Sequence, residues 1–171
     1  MDFELKSLSP AQAAQLACDA MLVLVPDART SGEAPDALSQ LVARVLKAGD
    51  LEPGLAKQLA CYRPEGFKAA RVHLVRAGDG SASSVRRAVA AGVGALKLPG
   101  VQRLGIVLSL LDANDAVVRA AVQAAADATY TFTTTKPSAK ARALRQVVLG
   151  VTQPAAVRPG FETGKALVTG V

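Results

Sequence analysis

The chain has 171 residues, half of them apolar, with 4% aromatics, no Trp and a net charge of +6. That is room for one substantial core, filled by Ala, Val and Leu, and it supports a single soluble domain. No apolar run approaches the ~20 residues that span a bilayer, and the opening Met1-Asp2-Phe3-Glu4-Leu5-Lys6 lacks the basic flank of a signal peptide. Cys18 and Cys61 have neither metal-ligand spacing nor the density of a disulfide scaffold. A cytoplasmic, reduced protein with no membrane contact is expected, and both cysteines are expected to be free thiols.

Phe3 and Leu5 alternate with Asp2, Glu4 and Lys6, as in a strand with one wet face. Ser9-Pro10-Ala11-Gln12 has the form of a capping box and opens a short helix to about Ala17. Ala20 to Val25 is continuously apolar, which suits a central strand covered on both faces. After a polar loop, Leu38, Leu41, Val42, Val45 and Leu46 form one helical stripe, closed by Lys47 and Gly49. Leu55, Leu59 and Cys61 suggest a strand, Arg63-Pro64-Glu65-Gly66 a turn, and Val72, Leu74 and Val75 the return strand of a hairpin.

Gly78-Asp79-Gly80-Ser81 leads into a second amphipathic helix through Val85, Ala88, Val89, Gly92, Val93 and Leu96. Leu104, Ile106, Val107 and Leu108 make the next strand. Asp112 and Asp115 then open a third long helix to about Thr129, with so little charge on it that both its sides, or one side and a partner, must be covered. Leu144 to Val151 reads as the last strand, and Pro154 and Pro159 punctuate a linker. Strands alternating with helices predict an α/β layered domain over residues 1–152, with residues 153–171 as the start of a linker. The apolar run from Lys165 is still under way at Val171. A domain of a longer protein is therefore expected, with the chemistry on the remainder.

Candidate chemistry is sparse. His73 is the single histidine and lies inside a predicted strand, with no partner for a metal pair or a triad. Gly78, Gly80 and Ser81 lie where amides at a helix N-terminus cradle phosphate, but Ser83 stands where the dinucleotide fingerprint has its third Gly. A tight strand-to-helix turn is the plainer expectation there. Asp19, Asp27, Asp36, Asp50 and Glu52 are scattered without metal-ligand spacing, and Cys61 has only Arg63 nearby to activate it. No catalytic or metal-ligating residue is assigned.

Charge is uneven: residues 1–85 carry 9 basic and 10 acidic side chains, and residues 86–171 carry 11 and 4. The densest patch is Lys136, Lys140, Arg142 and Arg145, read either as a solvated loop or as a contact for a polyanion. Just before it, Tyr130-Thr131-Phe132 places two rings near a helix end, expected to anchor that end on the sheet.

A helix ending Tyr130-x-Phe132-x-x-x-Lys136, then a basic loop, a Val-rich strand and a new helix, resembles the N-terminal domain of the leucyl (cytosol) aminopeptidases. Asp19 to Val25, Val45 to Asp50, Val72 to Gly78 and Val168 to Val171 resemble further segments of that family in the same order. The resemblance implies a three-layer fold, a mixed β-sheet flanked by helices, with a macro-domain-like shape. It implies a parent enzyme that releases N-terminal amino acids from peptides with two divalent metal ions, Mn or Zn. The family's metal ligands and its Asn-Thr-Asp-Ala-Glu-Gly-Arg signature belong to a C-terminal catalytic domain, and the signature is absent here. Implied partners are that catalytic domain, further copies in a homo-hexamer and, as in some bacterial members, DNA, with Lys136, Lys140, Arg142 and Arg145 as the contact. The alternative is a free-standing nucleotide- or ADP-ribose-binding module using the turn at Gly78, Gly80 and Ser81.

Overall fold

A computed structural model of the chain describes residues 2–27, 35–96, 98, 100–135 and 144–169, with the side chains of 130–135 and 169 outside that description. β1 (Asp2–Ser7) buries Phe3 and leaves Asp2 and Glu4 in water, as its alternation requires. α1 (Pro10–Ala13) opens on the expected capping box: Gln12 N donates to Ser9 Oγ at 3.2 Å, and Ser9 N donates to Gln12 Oε1 at 2.9 Å. It is one turn long and does not reach Ala17. The amides of Gln15 and Leu16 bond three residues back, and Leu16 then drops onto the sheet against Gly105.

β2 (Ala20–Val25) is wholly buried. Met21, Val23 and Val25 enter one core, and Ala20, Leu22 and Leu24 the other, which is why the strand is apolar at every position. α2 (Ala37–Ala48) is capped by Asp36, whose carboxylate accepts from Ser39 N at 2.8 Å, and closes at Gly49. β3 (Gln58–Tyr62) and β4 (Arg71–Arg76) form the expected antiparallel hairpin; Leu55 lies outside β3 and covers Gly78 instead. α3 (Ala82–Ala95), β5 (Arg103–Val107), α4 (Asp115–Thr135), β6 (Gln146–Val151) and α5 (Pro154–Thr169) complete the chain.

The six strands run in the order β1-β6-β5-β2-β4-β3, every pairing parallel except β3 with β4. α1 and α2 cover one face, where Leu38, Leu41, Val42 and Val45 meet Met21, Val23, Val72 and Leu74. α3, α4 and α5 cover the other, over Leu22, Leu24, Val75, Ile106 and Leu149. The expected mixed sheet between helical layers is the observed one. Each such Leu or Val contributes about 1.5–3 kcal/mol of burial.

Two expectations about the helices are corrected. Asp112 does not cap α4: Asn114 does, its side-chain oxygen accepting from Val117 N at 2.9 Å, and the helix runs on past Thr129 to Thr135. Residues 154–169, read as linker, form α5 and lie in the core through Val157 and Phe161, each 3% exposed. Pro154 stands in the first turn, where no intrahelical amide is needed. Pro159 does remove one backbone bond, but the next amide, Gly160 N, is taken by Asp115 Oδ1 of α4 at 2.9 Å. α4 thus lies between α3 and α5, which accounts for its scarcity of charge.

Candidate functional site

The glycine turn stands at the carboxyl end of β4, beside that of β2, with Asp27 N donating to Gly78 O at 2.8 Å. Gly78 and Gly80 have φ of +59° and +76°, a region in which a side chain is strained. Ser81 caps α3 by accepting from Ser84 N at 3.4 Å. Asp79 Oδ1 accepts from Ser81 N at 3.0 Å and from Ser84 Oγ at 2.8 Å. These bonds, led by the Ser81 amide and followed by the two serine hydroxyls, hold the Asp79 carboxyl down to about 2. The structure therefore gathers Gly78, Gly80 and Ser81 at one helix N-terminus, but around a fixed negative charge. Leu55 and Ser84 lie against Gly78, and Leu111 lies towards Gly80.

His73 is buried in β4, and its Nε2 is hydrogen-bonded to the Gln58 side-chain oxygen on β3. Burial lowers its pKa, which favours the neutral ring. The cysteines are free, and burial raises both thiols, Cys18 to about 11. Neither is an activated nucleophile.

Several of the scattered acids have structural work. Asp19 Oδ2 accepts from Gln102 N at 2.9 Å and Arg103 N at 2.8 Å, tying the entry of β2 to that of β5. Asp36 caps α2, Asp115 joins α4 to α5, and Asp27 lies 4.0 Å from Arg76. Among the described residues no three His, Cys, Asp or Glu side chains come together as a metal site. Likewise, no described helix is long and apolar enough to cross a membrane. Lys136, Lys140 and Arg142, and the rings of Tyr130 and Phe132, lie outside the described residues. Arg145 is exposed, its amide donating to Gln102 O at 2.8 Å just before β6.

One feature was not singled out from sequence. At the opposite end of the sheet, where β2, β4 and β5 begin, a cleft of ≈ 370 Å³ is lined by Cys18, Asp19, Arg63, Lys68, Arg71 and Val101 among others. Its signal was present as three cations in nine residues, with Glu65 the single acid among them. Only the fold shows that the hairpin turn brings them to the edge where Asp19 ends.

The profile described as "Cytosol aminopeptidase family, N-terminal domain" matches residues 16–139. A probable cytosol aminopeptidase of Verminephrobacter eiseniae is 48% identical over 172 residues, covering all of this chain and 32% of its own length. One of Albidiferax ferrireducens is 44% identical, again over all of this chain and 35% of its own. The chain thus spans about a third of the length of these curated relatives. Among solved structures, a Trypanosoma brucei macrodomain matches with a TM-score of 0.57 and 13% identity over 94% of this chain and 65% of its own. The same macrodomain in complex with ADP gives 0.60 and 14%, over 96% and 69%. At that identity the likeness is one of fold, and the fold is macro-domain-like.

Proposed function

Because the chain belongs to the cytosol aminopeptidase family, matching its N-terminal domain, we propose that it is the non-catalytic part of an exopeptidase that releases N-terminal amino acids from peptides. The observation that carries this reading is that relatives named as such enzymes match the whole chain, while the chain accounts for only a third of them. The described side chains fit it: among them the buried histidine, the raised thiols and the hydrogen-bonded acids offer no nucleophile–base pair. In this reading the two divalent ions, Mn or Zn, would be held by the remainder of the enzyme, where they would polarise the scissile carbonyl and activate water. No step of that chemistry runs through this domain.

The domain's role is then assembly and contact. A homo-hexamer would use its outer surface, and the basic segment that ends at Arg145 would take a polyanion such as DNA, with salt-sensitive affinity. The second reading, a nucleotide or ADP-ribose module at Gly78, Gly80 and Ser81, is favoured by the likeness to a macrodomain solved with ADP. It is opposed by the fixed charge of Asp79 beside those amides.

The test compares the full-length enzyme with a version lacking residues 1–171, by light scattering and by metal analysis. A smaller assembly with metal content per subunit unchanged is expected. Loss of bound metal along with the domain would refute the non-catalytic reading.

A further inference from the structure

We propose that the cleft at the amino ends of β2, β4 and β5 binds a small phosphate-bearing anion. This is independent of the exopeptidase reading and lies at the end of the sheet opposite the glycine turn.

Three cations face one carboxylate. Arg63, Lys68 and Arg71 line the cleft with Asp19, and among the described residues no acid forms an ion pair with any of the three. Asp19 is held to the wall by two backbone amides, so it is not free to swing onto them. The backbone that carries these cations is tied to the fold. Arg63 N donates to Ala70 O at 2.8 Å and Lys68 N to Ala14 O at 3.0 Å, while Arg71 belongs to β4. Arg63 is held at a φ of +50°, a left-handed conformation uncommon for a side-chain-bearing residue. A fourth cation, Arg103, stands near Cys18; its Nη1 donates to Ala17 O at 2.6 Å, and its buried Nε has no acceptor among the described residues.

Arginine forks match the oxygens of phosphate, and lysine adds a point charge. The volume suits a small molecule, since such sites run to roughly 300–1,000 Å³, and Val101, Leu98 and Ala70 give the cleft an apolar side. The neighbouring cavity shares Arg71 and Leu98 and includes Tyr62, a residue 70% exposed whose ring centroid lies 5.8 Å from the Arg71 guanidinium carbon. A flat organic group attached to the phosphate would find that ring. The carboxyl end of α3 adds a partial negative charge of about half a unit at Leu96, which with the Asp19 carboxylate still leaves the three cations in excess. A concavity with an aromatic rim favours a small ester over a long polyanion.

The test is an amide-shift titration of the 171-residue chain with inorganic phosphate, adenosine 5′-monophosphate and duplex DNA, at constant ionic strength. Saturating shifts at Asp19, Lys68, Ala70 and Val101 are expected with the small phosphates. Affinity should fall at least tenfold in an Arg63→Gln/Lys68→Gln variant, whose exposed side chains leave the melting temperature unchanged. Tighter binding of the monophosphate, with shifts at Tyr62, would assign an ester as ligand; equal affinity would assign phosphate itself. Shifts that sodium chloride reproduces, that persist in the variant or that centre on Gly78–Ser81 would overturn the proposal. Engagement of these amides by DNA alone would do so too.

Discussion

Ending the chain after Thr152 is expected to lower the thermal midpoint by about 10–20 °C or to leave the domain unfolded. The truncation removes Val157 and Phe161 from the core and uncovers the α5 side of α4. Loss of a buried Phe alone costs about 3–5 kcal/mol, set against the ~5–15 kcal/mol by which native domains are stable. At this size each kcal/mol is worth about 2–4 °C. A calorimetric scan of the truncated chain checks it. A midpoint within about 3 °C of the full chain would mean that α5 lies on a surface that holds without it.

Substituting Gly160 by Val tests the same seam without shortening the chain. A Cβ built on Gly160 lies 2.6 Å from the Cα of Asp115 and 2.7 Å from its carbonyl carbon, distances at which the backbones must separate. Separation would also break the bond from Gly160 N to Asp115 Oδ1. Overpacking of this kind costs about 1–3 kcal/mol, and a hydrogen bond to a charged group adds about 1.5–3 kcal/mol. Denaturant unfolding is expected to show a loss of about 3–5 kcal/mol on those grounds. Gly94, with nothing near its Cβ position, is the control; Gly94→Ala should be neutral or slightly stabilising.

The helix that these substitutions probe is also where local sequence signals misled. Pro154, Pro159 and Gly160 each break regular structure when read alone. Yet Gly160 joins Val157, Phe161 and Gly164 on the buried face of α5, with Gly160 and Gly164 against α4, while Pro159 is exposed. Gly160 is there because two helices touch, which is tertiary information. β2 was legible for the opposite reason: a strand between two cores must be apolar throughout, and that is a property of the strand itself. The ends of α1 and α4 moved because they are set by Leu16 seeking the sheet and by Asn114 outcompeting Asp112 for the first amides. The cationic cleft was legible as composition but not as a place, since Asp19 and Arg71 meet only through the parallel pairing of β2 and β4.

Hydrolysis of leucine p-nitroanilide by the purified 171-residue chain, with Mn²⁺ or Zn²⁺ supplied, tests most directly whether this domain is catalytically silent. The expected result is no turnover above buffer and no stoichiometric metal retained after desalting. Turnover abolished by a chelator would place a two-metal centre in this chain and contradict the assignment of its acids to capping and bracing.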